Sequence, residues 1–174
     1  MTVCDRRFSH AHVARAGWAV FSVAMFLLMG SVKAQDSMSD ATVESQRTEA
    51  GVLATDDHWS LAEMTGDTTY LEQMLLPQYE SVNDDGSAHP KAQIVTGAAK
   101  RSGTDPATAK RKLAAYRKDH PYSSNVAIHD NTAVVTFYDP AQGAQKGIKS
   151  ADIFVYANGH WHAMYSQHTE AGKS

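Results

Sequence analysis

Three histidines crowd the stretch "GHWHAMYSQHT" at residues 159–169, where His160, His162 and His168 surround Trp161 and Tyr165. Imidazole serves as a metal ligand and as a base near neutral pH. In an extended strand, side chains alternate between faces. That puts His160, His162, Met164, Ser166 and His168 on one face, and Trp161, Ala163, Tyr165, Gln167 and Thr169 on the other. His162 and His168 would then stand about 20 Å apart, since a strand rises ~3.3 Å per residue. Zinc holds its ligands at about 2 Å, so the three histidines do not converge. His160 and His162 alone would need two further ligands, and no matching His or Cys pair is visible. No metal is expected, and His129 at a hairpin end is expected to be exposed.

Carboxylates are the other source of chemistry. Asp56, Asp57 and His58 are consecutive on a helical stretch and point in different directions. Asp56, one turn before Trp59, is the best placed to face inward, where burial beside aromatics would raise its pKa and make it a base. The alternative is an exposed carboxylate favouring the helix dipole. Asp152 interrupts the apolar run "SADIFVY" and is either an outer-face residue or a pocket acid. Asp84 and Asp85 either supply a base after a register shift or shape the turn at Gly86. Lys110, Arg111, Lys112, Arg117 and Lys118 surround most of one helix and read as a solvated face. There is no phosphate-binding glycine loop, no G-x-S-x-G elbow and no HExxH, and no cofactor is expected.

The elements that must position these residues change character along the chain. Val52, Thr55, Trp59, Ala62 and Gly66 recur at helical spacing, with Gly66 as a stop. Asp67 or Thr68 can cap a second, short helix that Pro77 ends. A strand runs into the turn at Asp85-Gly86. A third helix carries Pro90 in its first turn, and Asp105-Pro106 opens a fourth. After Pro121 two hairpins follow, turning at Asp130-Asn131 and Asn158-Gly159. Helices followed by an antiparallel meander make the fold class α+β.

Residues 1–34 read as a signal peptide: basic Arg6, Arg7 and Arg15, the apolar "AGWAVFSVAMFLLMG" at 16–30, and a cleavage site after Ala34. The apolar run is shorter than the ~20 residues of a spanning helix, so no membrane anchor is expected after cleavage. Export to the periplasm or the medium follows. Residues 35–49 read as a flexible leader, and 50–170 as one domain. Cleavage removes four basic residues and one acid, which leaves the mature chain at net −6. That argues against nucleic acid as a partner. Cleavage also removes Cys4, the one cysteine, so no disulfide is available.

These residues resemble the nuclear transport factor 2-like superfamily in its SnoaL-like branch. Trp59 with Gly66-Asp67, Leu75-Leu76 with Tyr79, Gly86, Ala133-Val134-Val135, Gly159 with Trp161, and Ser166 to Thr169 carry the likeness over about residues 50–169. It implies a cone: a strongly curved antiparallel sheet over the N-terminal helices, here with an extra helix at 105–119, pairing through the sheet as a homodimer. Ketosteroid isomerases of this superfamily carry a tyrosine where Trp59 stands and a base near Asn83. Indole is a poor acid and Asn takes no proton, so that mechanism does not carry over.

The first functional reading is an exported protein binding a small hydrophobic ligand in the cone, between Trp59, Tyr79, Tyr165 and Gln167. The second is an isomerase, dehydratase or cyclase using Asp56, Asp84 or Asp152 as base. The third is a dimeric association domain with its interior filled by side chains.

Overall fold

The structure, a computed structural model, describes residues 41–119, 121–143 and 145–172. The expected signal peptide and the start of the leader lie outside the described residues. Helix α1 spans Glu49–Thr65. Thr48 caps it, its hydroxyl accepting from the Gly51 amide, and Gly66 closes it in the left-handed region at φ 73°. Gly66 is also a close approach, because a Cβ there would meet the Ser102 amide nitrogen at 2.5 Å. The buried stripe of α1 is Val52, Thr55, Asp56, Trp59 and Ala62, the face expected from the helical spacing.

Asp67 caps the short helix α2, Thr68–Met74, by accepting from the Tyr70 amide. The chain passes without a loop into strand β1, Leu75–Val82. The helix therefore ends before Pro77, which lies within the strand rather than terminating the helix. The physical reason is tertiary: Leu75 is 1% exposed and pairs with Ala163, so strand pairing overrides helix propensity there. Strand β2, Ala88–Pro90, forms an edge hairpin with β1. Pro90 is the residue preceding α3, Lys91–Ala99, rather than part of its first turn. Lys91 donates to the carbonyls of Glu72 and Leu75 at the end of α2.

Helix α4, Pro106–Asp119, packs Ala109 and Leu113 inward and turns its basic residues outward. Four strands follow: β3 Ser123–His129, β4 Thr132–Tyr138, β5 Gly147–Ala157 and β6 His160–Ala171. Asp130 (φ 51°) and Asn158 (φ 52°) take the positive φ that tight hairpin turns require.

The fold is α+β. One six-stranded sheet, ordered β2-β1-β6-β5-β4-β3, packs one face against the helices. The sheet is mixed, not wholly antiparallel, because β1 and β6 run parallel. The helices between β2 and β3 carry the chain to the far edge, and the meander returns to lay its last strand beside the first. The core joins Trp59, Leu71, Tyr79, Val135, Phe154 and Trp161.

Residues 41–49, read as the end of a flexible leader, are bound to the domain. Residues 41–44 are helical. Glu44 holds His58 and Tyr70, and the carbonyls of Ser45 and Gln46 receive hydrogen bonds from Tyr156 and Trp161.

Candidate functional site

Strand β6 does not alternate simply. Phe154 pairs with Ala163, but the next residue of β5, Ile153, pairs with Tyr165, so Met164 is an extra residue in the ladder. This β-bulge resets which side chains face the helices. Trp161 and Ala163 face inward before it, and Ser166 faces inward after it. Tyr165 and Gln167, expected on the Trp161 face, lie instead on the outer face. There the Tyr165 hydroxyl donates to Gln167 Oε1 at 2.7 Å. The expected four-residue ligand set is therefore divided between two faces. Trp59 and Tyr79 belong to the core, while Tyr165 and Gln167 do not.

The bulge brings together a buried polar group. Asp152 on β5 and Ser166 on β6 are direct cross-strand partners. Ser166 donates to Asp152 Oδ1 at 2.5 Å, and the Tyr79 hydroxyl from β1 donates to Ser166 Oγ at 2.9 Å. Exposure is 1% for Asp152, 0% for Ser166 and 2% for Tyr79. Ser81, the β1 partner of Ser166, is buried as well. Apolar walls surround the group: Trp59 meets Tyr79 and Phe154 edge-on at 5.5 and 6.1 Å, and Val135 lies across from Asp152. The Trp59 indole donates to Glu63 at 2.8 Å. One rung further along the same face, Ser150 pairs with His168, and Ser150 Oγ lies 2.8 Å from His168 Nδ1.

The three candidate carboxylates are in three different settings. Asp152 lies buried on the helix-side face of the sheet, not on its outer face. Asp56 is buried on α1 at 4% exposure, not on the exposed helix surface. Asp84 is exposed in the β1–β2 turn and is no interior base. Its neighbour Asp85 shapes that turn, and the Ser87 hydroxyl and amide hold its carboxyl below the usual range. Asp57 is paired with Arg117 at 2.6 Å.

The histidines also separate. His160 is exposed, His162 Nδ1 lies 3.0 Å from the Gln73 carbonyl, and His168 meets Ser150. Among the described residues no cluster of His, Cys, Asp or Glu is placed to hold a metal. Ser166 and His168 are site residues the alternation argument put on the wrong face, and Ser150 was not singled out. Their signal in the sequence was the recurrence of small polar residues opposite one another in β5 and β6.

A groove of about 680 Å³ lies on the outer sheet face, along Thr136, Tyr138, Lys149, Ala151, Gln167 and Thr169. The helix-side face is filled at its centre by Trp59, Tyr79, Phe154 and Trp161.

No protein-family model matches the chain, and no curated protein matches it in sequence. Solved structures are similar. One is a nuclear transport factor 2-like protein from Cytophaga hutchinsonii, at 14% identity over 72% of this chain and 99% of that one, with a TM-score of 0.46. A second, from Silicibacter pomeroyi and described as nuclear transport factor 2-like and of unknown function, is 11% identical over 79% and 98% at 0.47. A third, from Novosphingobium aromaticivorans, is described as nuclear transport factor 2-like with a cystatin-like fold. It is 12% identical over 84% and 94%, at 0.45. These are likenesses of fold alone.

Proposed function

We propose that this is an exported protein that binds a small molecule on the helix-side face of the sheet, at the half-buried Ser150 and His168, from which a polar stretch continues inward to Ser166, Asp152 and Tyr79. One observation supports the reading above the others: a carboxyl group sits fully buried in an apolar core, accepting from the Ser166 hydroxyl, which in turn accepts from Tyr79. Burying a carboxyl costs several kcal/mol unless something answers it. Trp59 and Phe154 supply apolar walls, and Ser150 and His168, both half-buried, mark the more open side. Native mass spectrometry of protein purified from the periplasm tests the reading. The wild type is expected to carry a non-covalent ligand that Asp152→Asn loses while remaining folded. Retention by that variant at wild-type level sinks the assignment.

A second reading has its own observation. Ser150 and His168 stand one rung from Asp152, so a substrate held at the half-buried imidazole would have a buried carboxyl behind it on the same face. That arrangement suits general acid–base chemistry with Asp152 as base. Turnover abolished by Asp152→Asn with ligand binding intact would select the enzyme over the binder.

The outer face is proposed as a homodimer surface. Val134, Ile153 and Val155 lie half-exposed there, beside the 42% exposed Tyr138. Analytical ultracentrifugation should show a dimer that Ile153→Asp splits. Export is tested by N-terminal sequencing of the mature protein, which should begin at Gln35.

A further inference from the structure

We infer that residues 43–47 are a strap seated in a binding site of its own. That site is the corner formed by Tyr156 and Trp161, and it suits an apolar molecule carrying carbonyl oxygens. Tyr156 and Trp161 are cross-strand partners at the hairpin end of β5 and β6, their rings 5.1 Å apart and 67° inclined. Each offers one polar hydrogen. The Tyr156 hydroxyl donates to the Ser45 carbonyl at 2.6 Å, and Trp161 Nε1 donates to the Gln46 carbonyl at 2.9 Å. Two successive carbonyls of the chain thus occupy two aromatic donors.

The strap pairs with no strand and precedes the α1 cap. Its ends are tied separately. Glu44 lies 3.0 Å from His58 Nδ1 and accepts from the Tyr70 hydroxyl at 3.3 Å, with the His58 and Tyr70 rings stacked at 3.7 Å. Arg47 donates to Asn131 Oδ1 at 2.8 Å, across to the β3–β4 turn. Beneath it runs Gly51, where a Cβ would meet the Gln46 carbonyl oxygen at 2.0 Å and that of Val43 at 3.0 Å. The strap lies directly on that glycine.

If the strap lifts, the Trp161 and Tyr156 donors give up these acceptors and open to water on rings that are otherwise packed against the core. A ligand restores the balance by bringing its own acceptors on an apolar body, as a ketone, ester or amide with an alkyl chain does. This site lies at the hairpin end of β5 and β6, four residues along β5 from Asp152, and does not depend on the function of the Asp152 group.

Gly51→Ala tests the inference. It keeps the helix and its capping amide but puts a methyl group where the strap passes. Indole N–H exchange is read by nuclear magnetic resonance on the whole protein, with 2-undecanone as probe and undecane as its control. Trp161 exchange is expected to quicken about tenfold or more as local opening becomes easier. Trp59, bonded to Glu63, should stay unchanged. The ketone, and not the alkane, should slow Trp161 again. Glu44→Gln, which loosens one anchor from outside the helix, should act in the same direction and more weakly. Unchanged Trp161 exchange in both variants overturns the strap, as does equal acceleration of both indoles. Acceleration that the ketone does not reverse overturns the binding site.

Discussion

The two ends of the helix-side sheet face are built from the same two strands and are held in different ways. At the hairpin end, Trp161 and Tyr156 pack ring on ring, and their polar hydrogens are answered by main-chain carbonyls of residues 45 and 46. Past the Met164 bulge, Ser166 and Asp152 answer one another, with Tyr79 joining from β1. One end relies on volume and a borrowed segment of backbone. The other relies on side-chain hydrogen bonds made within the sheet. An apolar corner tolerates exchange of its cover, whereas a buried carboxyl needs partners of fixed position. The end with the rings is expected to cost more to truncate, and the end with the carboxyl to be more chemically specific.

Trp161→Ala should give the largest effect. It empties a fully buried ring volume and should cost about 3–5 kcal/mol in urea unfolding. A cost under about 1 kcal/mol would mean that the hairpin end does not rest on its rings. Ser166→Ala comes next, at about 1–3 kcal/mol, because it cuts the bridge between two buried polar groups. A neutral result there would show that Asp152 and Tyr79 find other partners and that the polar end is not one network.

The strap's outer anchor has a pH signature. Burial, the charge of Glu44 and the hydrogen bond to it, with Asp56 adding to them, hold the Tyr70 phenol well above its ordinary value of 10.0. A raised folded-state pKa means that the folded chain keeps a proton the unfolded chain gives up. The contribution is therefore complete below pH 10 and declines as pH rises beyond it. Stability measured above pH 10 should fall with a slope that Tyr70→Phe reduces. An identical slope in that variant would detach Tyr70 from the comparison. The smallest effect is expected on the outer face, where Tyr165→Phe removes one partly exposed hydrogen bond. It should change unfolding by no more than about 0.5 kcal/mol, and a loss above 1 kcal/mol would mean that this face belongs to the core as much as the two ends do.

Local signals carried much of the architecture. The α1 stripe of Val52, Thr55, Trp59 and Ala62, the Gly66 stop, the Asp105-Pro106 start and both hairpin turns depend on near neighbours in the chain, so composition and period reveal them. Helical period gave Asp56 an inward direction as one of two readings, and only the packed structure shows it buried rather than exposed. Asp152 could not be placed, because its face depends on the register of β5 against two other strands.

What the sequence determined by itself was the succession of helices and hairpins, the order of the turns, and the inward side of α1. Those follow from φ preferences and hydrophobic period over a few residues. The tertiary structure alone decided that Leu75 leaves the helix, that β1 runs parallel to β6, and that Met164 bulges. It therefore also decided that Ser166 rather than Tyr165 meets the core. Each of these depends on pairing between residues far apart in sequence, and one extra residue in a two-residue repeat reverses every side chain that follows it.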